Sequence, residues 1–162
     1  MLNLLTIAGS DSCGGAGIQA DIKTFCAHGC YGMSIITAVT AQNTQGVSDA
    51  VDIPPKMIMA QADAVFSDIR VDAVKTGMLS CTETIKCVAD ILRKYSPKFY
   101  VLDPVMISKS GFALLKEEAI ASIIKLLLPL CSVVTPNIPE GEAISGLKID
   151  SECDAKKAAE KI

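Results

Sequence analysis

The chain has 162 residues, of which 50% are apolar and 20% are charged. That length suggests about one domain, at roughly 100–200 residues per domain, and the apolar share excludes a disordered chain. The formal net charge is −3 and aromatic residues make up only 4%. Nucleic-acid binding needs positive charge for phosphate contacts and aromatic rings for base stacking. We therefore expect no nucleic-acid partner.

The most apolar stretch is too interrupted to cross a membrane. Between residues 120 and 134 it contains Ser122, Lys125 and Pro129, whereas a spanning helix needs about 18 or more apolar residues in a row. The first five residues carry no basic side chain and Gly9 follows soon after, so no secretory signal is predicted. We expect no membrane association and a cytoplasmic location.

The cysteines and the single histidine offer little for a zinc site. No C-x-x-C pair occurs among the seven cysteines, and His28 is the only histidine, so the usual ligand spacing of zinc sites is lacking. Cys26, Cys87 and Cys131 have apolar sequence neighbours and are predicted to be small core residues. In a cytoplasmic chain we expect reduced thiols.

Short apolar runs alternate along the chain with runs of helical periodicity. Strands are predicted at residues 4–8, 34–39, 73–76, 99–102 and 132–135. Helices are predicted at residues 16–28, 55–67, 82–95, 117–128, 139–145 and 151–162. This alternation predicts one α/β domain over residues 1–162, with right-handed crossovers and a mostly parallel sheet covered on both faces.

Ligands of such sheets bind beyond the carboxyl ends of the strands. The segments to search are therefore residues 9–17, 41–46, 76–78, 103–111 and 135–140. The last helix reaches Ile162 without a Gly, Asn or Pro to stop it. That ending hints that the chain is the front part of a longer domain.

The segment after the first strand is rich in glycine. Gly9 and Gly14 have the spacing of a phosphate-binding loop, but Gly15 stands where that loop requires lysine. A dinucleotide fingerprint matches residues 15–20, yet the acidic residue expected about 20 positions later is lacking. A turn of purely structural use is the alternative. Asp11 and Ser12 beside the glycines favour a small polar ligand.

Two further strand exits carry side chains that suit a heterocycle. The amide of Gln42 could form hydrogen bonds with the donor and acceptor groups of a heterocycle. The alternative interpretation of this polar segment is a solvated turn. Gly77 allows a close backbone approach, and Met78 offers a soft apolar wall or a core residue.

The last two exits carry carboxylates. Asp103 follows the fourth strand, where a carboxylate can hold Mg²⁺ or face phosphates, although an Asp-Pro turn is an equal interpretation. Asn137 and Glu140 lie three residues apart at a helix start. They could organise a hydrated Mg²⁺ or cap the helix.

Taken together, these segments resemble one known family. The chain is similar to hydroxymethylpyrimidine/phosphomethylpyrimidine kinases, thiamine-biosynthesis enzymes of the ribokinase-like superfamily. The likeness runs in order through Thr6–Asp21, Thr40–Thr44, Lys75–Leu79, Val101–Met106 and Thr135–Glu140. Bacterial pyridoxal kinases share much of it and are the nearest alternative. The resemblance implies a three-layer ribokinase-like fold.

The resemblance also implies a reaction and its site residues. The reaction is the ATP- and Mg²⁺-dependent phosphorylation of 4-amino-5-hydroxymethyl-2-methylpyrimidine and then of its monophosphate. The implied substrate-binding residues are Gly9, Asp11, Gln42, Met78 and Val105. Asp103, Lys109, Asn137 and Glu140 would face Mg-ATP, with Asp103 and Glu140 at the metal. Family members are often homodimers.

One feature of the family is missing from these residues. The family carries a late Gly-Thr-Gly-Cys/Asp segment, whose helix N-terminus forms the anion hole and which supplies the catalytic residue. Phosphoryl transfer needs such donors for the developing charge. No Gly-Thr-Gly occurs here, so the catalytic residues are expected beyond Ile162 and the C-terminal part of the fold is expected to be missing.

Two consequences follow for residues 1–162 alone, and three alternative functions remain. We expect little activity from them, and an exposed apolar edge where the rest of the fold would pack. A pyridoxal or pyridoxine kinase is one alternative function, and a non-catalytic pyrimidine-binding module is another. A nicotinamide-dependent oxidoreductase is the remaining one, and it depends on the dinucleotide spacing alone.

Overall fold

The sheet at the centre of the fold has six strands. The structure is a computed structural model that describes residues 1–106 and 117–162. The strands run in the order β3-β2-β1-β4-β5-β6 across the sheet, and each neighbouring pair is parallel except β2 with β3. Their bounds are β1 Asn3–Asp11, β2 Tyr31–Asn43, β3 Gly46–Asp52, β4 Ala73–Thr76, β5 Tyr100–Leu102 and β6 Val133–Val134.

Helices connect the parallel strands. Their bounds are α1 Gly17–Ala27, α2 Pro55–Asp68, α3 Thr82–Tyr95, α4 Glu117–Leu126, α5 Ile138–Ser145 and α6 Glu152–Lys161. A short 3-10 helix at Leu128–Leu130 follows α4, because Pro129 lacks the backbone N–H that a continuing helix would need. The predicted bounds of α3 and β4 are confirmed at both ends.

The two faces of the sheet differ in what covers them. Leu5 and Ile7 of β1 are fully buried and cluster with apolar residues of α2, α3 and α4. Thr6, which points to the opposite face, bonds to Asp21 of α1. Helices therefore cover both faces, and the expected three-layer α/β fold with a mostly parallel sheet is confirmed.

The sequence analysis missed β3. Residues 41–46 are not a plain turn after a short strand, because β2 continues to Asn43 and β3 returns beside it from Gly46. Apart from Gly46, which is partly buried, β3 is exposed along its length, so its sequence lacks the apolar alternation that marks a half-buried strand. Backbone pairing with β2 holds it in place.

Other predictions from the sequence are confirmed only in part. Cys87 lies in the core and Cys131 packs against it, but Cys26 is exposed. The prediction for Cys26 was wrong: the residue lies at the C-terminal end of α1, where Ala27 and His28 are exposed as well. Apolar side chains are exposed near the β5–β6 edge, at Phe99, Val133 and Ile138. In the described parts of the chain, no helix is long and apolar enough to cross a membrane.

Candidate functional site

The carboxyl ends of β1, β4 and β5 lie side by side at one edge of the sheet. Backbone bonding continues past the strands, because Gly77 N donates to Ile7 O at 3.0 Å and Asp103 N donates to Thr76 O at 3.1 Å. The segments that follow these strands are therefore neighbours, as the parallel arrangement predicted.

Asp11 organises the glycine-rich loop after β1. Its Oδ1 accepts from Cys13 N at 2.9 Å, and its Oδ2 accepts from Gly15 N at 3.0 Å and Ala16 N at 2.8 Å. Cys13 Sγ also donates to Oδ2, at 3.2 Å. Asp11 is buried, and its carboxylate is occupied by the loop itself.

The charge of Asp11 is stabilised by these bonds. Burial acts to raise the pKa of this carboxyl, but the hydrogen bonds from Cys13, Ala16 and Gly15 outweigh burial, so the pKa lies below its ordinary value. Asp11 is therefore ionised at neutral pH and also faces the positive N-terminal end of α1.

Two glycines let the chain pass closely at this point. Gly17 has φ of +56°, and a Cβ added there would lie 2.3 Å from Gly9 O. A Cβ added at Gly9 would lie 2.8 Å from Met78 Cε. The structure thus brings two of the predicted substrate residues, Gly9 and Met78, into direct contact.

Gln42 lies near the end of β2 and is bonded to the same loop. Its backbone N donates to Ser12 Oγ at 2.8 Å, while Ser12 Oγ donates to Gln42 O at 2.6 Å. Thr40 Oγ1 lies 3.2 Å from Gln42 Oε1 and 2.9 Å from Ser10 O. These contacts fix the amide of Gln42, which is partly exposed, beside the glycine-rich loop.

Lys75 joins two carboxylates across the sheet. Its Nζ lies 3.1 Å from Asp21 Oδ1 and 3.1 Å from Asp103 Oδ2. Thr6 Oγ1 donates to Asp21 Oδ2 at 2.6 Å, which fixes that carboxylate against β1. A Cβ added at Gly77 would lie 3.1 Å from Lys75 Nζ, so the absence of a side chain at that position makes room for the ammonium group.

Asn137 and Glu140 cap α5. Asn137 Oδ1 accepts from Glu140 N at 3.0 Å, and Glu140 Oε2 accepts from Asn137 N at 2.9 Å. Glu140 Oε1 accepts from Met106 N at 3.2 Å. Glu140 is 4% exposed, and each of its oxygens already accepts a backbone N–H. The capping interpretation of this pair is confirmed, since both hydrogen bonds of a capping box are present.

The remaining predicted residues follow β5. Val105 is partly buried in the turn after β5, where its N donates to Asp103 O at 2.9 Å. Lys109 lies outside the residues that the structure describes.

Sequence reasoning missed the roles of Lys75 and Asp21. The signal for Lys75 was a lysine in the middle of a short apolar strand, where a charged side chain is rarely placed without a partner. Asp21 carried no such signal, because an acidic residue in an amphipathic helix usually faces solvent.

The described residues fit Mg²⁺ bound together with phosphates better than a metal held by protein alone. Within residues 1–106 and 117–162, no group of three or more His, Cys, Asp or Glu side chains could hold a metal ion. Mg²⁺ commonly takes one or two carboxylates and completes its shell with water and phosphate oxygens. Asp103, with 32% of its side chain exposed, offers such a carboxylate.

Comparison with known proteins identifies the family. The model of the phosphomethylpyrimidine kinase family matches residues 11–162. The chain belongs to the phosphomethylpyrimidine kinase family. It is 54% identical to the hydroxymethylpyrimidine/phosphomethylpyrimidine kinase of Rhizobium meliloti (strain 1021), over 98% of this chain and 59% of that protein. The chain thus spans little more than half the length of this relative.

Solved structures of phosphomethylpyrimidine kinases and of pyridoxal kinases share the fold. The phosphomethylpyrimidine kinase of Clostridium difficile 630 superposes with a TM-score of 0.94 at 56% identity, covering 99% of this chain and 70% of that one. The pyridoxal kinase of Staphylococcus aureus in complex with AMP-PCP gives a TM-score of 0.89 at 40% identity, covering 99% of this chain and 59% of that one. The family match leaves the dinucleotide interpretation of residues 15–20 without support.

Proposed function

We propose that the full gene product, meaning the protein encoded by the complete reading frame, is a kinase of the thiamine-biosynthesis pyrimidine. It phosphorylates the hydroxymethyl group of 4-amino-5-hydroxymethyl-2-methylpyrimidine and then the resulting monophosphate, with ATP as donor. The observation that carries this proposal is the 54% identity to a kinase named for both substrates, over 98% of the chain.

The substrate residues divide into two kinds in this proposal. Gly9, Gln42, Met78 and Val105 line the pyrimidine pocket, and the contact between Gly9 and Met78 supports this placement. Gln42 would bond to the aminopyrimidine edge. Asp11 acts indirectly, since its carboxylate is occupied by loop amides. It therefore shapes the loop that closes one side of the pocket.

ATP and Mg²⁺ are the proposed cofactors. When bound, Mg²⁺ would neutralise charge on the transferred phosphates. Asp103 would hold it, and Lys109 and Asn137 would face the phosphates. Glu140, whose oxygens accept from Met106 N and Asn137 N, would be the second carboxylate at the metal and also fixes both backbone segments. The solved complex of the Staphylococcus aureus pyridoxal kinase with AMP-PCP supports a nucleotide in this fold.

We place the catalytic residue and the anion hole outside residues 1–162. Residues 1–162 contain no Gly-Thr-Gly segment and span 59% of the Rhizobium relative. A protein of residues 1–162 alone is therefore expected to show no turnover, even where it binds the pyrimidine. Calorimetry with the pyrimidine on this protein tests the binding-module alternative.

The deciding experiment is a substrate panel on the full gene product. The pyrimidine, its monophosphate and pyridoxal are each offered with Mg-ATP, and phosphorylated products are measured by mass. Turnover of both pyrimidines with a kcat/KM at least tenfold above that for pyridoxal supports the proposal. The reverse preference would establish the pyridoxal kinase alternative, whose fold is shared by the Staphylococcus enzyme with a TM-score of 0.89.

A homodimer and a cytoplasmic location complete the proposal. Val39, Val47 and Val51 are exposed on the hairpin of β2 and β3, and β3 is an edge strand with unpaired backbone groups. This edge supports self-association through the hairpin. Sedimentation equilibrium of the full gene product tests the dimer, and cell fractionation tests the location.

A further inference from the structure

The two ion pairs of Lys75 are more buried than the other ion pairs given for the described residues. Its side chain is 22% exposed, and its partners Asp21 and Asp103 are 17% and 32% exposed. Each other ion pair given for the described residues has a partner that is at least 48% exposed. Surface pairs of that kind contribute little, whereas a sheltered cation between two carboxylates determines where both can point.

Residues of β1, β4 and α1 fix the position of the Lys75 ammonium group. Thr6 on β1 is directly opposite Lys75 on β4 in the parallel register, so their side chains rise from the same face of the sheet. Thr6 fixes Asp21 of α1 through its 2.6 Å hydrogen bond. A Cβ added at Gly77 would lie 3.1 Å from Lys75 Nζ, so the ammonium group would have to shift by a few tenths of an ångström.

Among the described residues, the ion pair with Lys75 is the side-chain contact given for Asp103. Lys75 Nζ lies 3.1 Å from its Oδ2, and the backbone of Asp103 is bonded to Thr76. Within the described parts of the chain, Lys75 is therefore the group that contacts the Asp103 carboxylate directly. Without that cation, Asp21 and Asp103 would be two like charges on one face, which disfavours a further anion nearby.

We propose that Lys75 is a positioning residue for Mg-nucleotide binding: it orients the Asp103 carboxylate and offsets the charge of Asp21. This inference rests on the proposed function for its ligand. Residues that orient a metal-binding carboxylate typically cost about 10- to 100-fold in metal affinity or activity when they are lost.

The test is Lys75→Met in the full gene product, which keeps an unbranched side chain of nearly the same length and removes its charge. Calorimetry measures ADP binding with and without Mg²⁺, and pyrimidine binding separately. We expect the gain in ADP affinity that Mg²⁺ provides to fall by about 10-fold or more. Pyrimidine affinity should change less than Mg-ADP affinity, because the proposed pyrimidine pocket does not include Lys75 or the carboxylates that it contacts.

Two further variants separate positioning from a purely structural role. Lys94→Met removes a lysine of the same charge that pairs with Asp63 at 2.8 Å on the helices α2 and α3, and it should leave ADP binding unchanged. Asp21→Asn added to Lys75→Met removes the uncompensated charge. It should restore thermal stability but not Mg-ADP affinity, since Asp103 still lacks its partner.

Two results would overturn the role of Lys75: unchanged Mg-ADP affinity in Lys75→Met, or full recovery of that affinity in the double variant. A wild-type protein that binds Mg-ADP but phosphorylates neither pyrimidine nor pyridoxal would refute the proposed substrates but not the role of Lys75. In that case the binding comparison still decides the role of Lys75. A wild-type protein without nucleotide binding would refute both proposals.

Discussion

Glu140 and Met106 are joined across two loops, since Glu140 Oε1 accepts a hydrogen bond from Met106 N at 3.2 Å. The other oxygen, Oε2, accepts from Asn137 N at 2.9 Å. One buried carboxylate therefore ties the segment after β5 to the start of α5. Both segments carry residues of the candidate phosphate site, so the bond aligns two parts of that site.

Replacing Glu140 by glutamine should destabilise the protein. Whichever way the amide is turned, its NH₂ group meets a backbone N–H of Met106 or Asn137, and a buried donor is left without an acceptor. We expect a loss of about 1–3 kcal/mol in the free energy of unfolding, measured by urea denaturation. Glu160→Gln on exposed α6 is the matched control, with an expected change within about 0.5 kcal/mol. Equal losses in both variants would contradict the assigned role.

The carboxylate of Asp11 should make stability depend on pH. Its pKa is lower in the folded protein than its ordinary value, so the folded state binds fewer protons than the unfolded state in the acid range. Its contribution is complete above about pH 4, the ordinary Asp value, and is lost as pH falls through the folded pKa.

The variant that tests this is Asp11→Asn. At pH 7 we expect it to lower the free energy of unfolding by about 1–3 kcal/mol, because charged hydrogen bonds from the three loop amides and the Cys13 thiol are weakened. The gap to wild type should narrow as pH falls from 4 towards 2. Asp68→Asn, at an exposed position in α2, provides the control. A gap that stays constant with pH would count against ionised Asp11 as the organiser of the loop.

Alanine substitutions at Gly17 and Gly29 distinguish the cost of a strained backbone conformation from the cost of a steric collision. Both have positive φ, +56° and +70°, but a Cβ at Gly17 would lie 2.3 Å from Gly9 O whereas a Cβ at Gly29 meets nothing within 4 Å. We expect Gly29→Ala to cost about 1–2 kcal/mol, the usual cost of a left-handed conformation for a residue with a side chain. Gly17→Ala adds the collision with the backbone.

The measurable result is a larger loss of thermal stability for Gly17→Ala than for Gly29→Ala, together with a loss of pyrimidine binding in the former alone. The substrate effect follows because the collision displaces Gly9, which contacts Met78. If both variants lost the same stability, the close packing of Gly17 against β1 would not be needed for the fold.

Gln42→Leu tests recognition of the pyrimidine. The substitution removes the amide but keeps a side chain of similar size, so ring atoms that bond to Gln42 would be left unpaired. We expect the KM for the pyrimidine to rise about tenfold or more, equivalent to about 1.4 kcal/mol, with the KM for ATP unchanged. Gln45→Leu, in the turn after β2, is the same substitution at an exposed position and should alter neither constant.

Most of the fold could be predicted from residue patterns because its strands are short apolar runs bounded by Gly, Pro and polar residues. The span Thr82–Tyr95 of α3 followed from the spacing of residues such as Ile85, Val88 and Leu92, all buried in the structure. β3 could not be predicted in this way, because it gains little burial and is held by backbone pairing that leaves no mark on side-chain type.

The sequence by itself determined the layered α/β fold, the family and the strand ends at which a ligand would bind, since these depend on local patterns and on the order of motifs. Only the tertiary structure decided what each polar side chain contacts. The carboxylates of Asp11 and Glu140 accept hydrogen bonds from backbone N–H groups, and Lys75 bridges Asp21 and Asp103. The reason is physical: a buried charge must find partners, and residues 54 positions apart become partners only when the sheet brings them together.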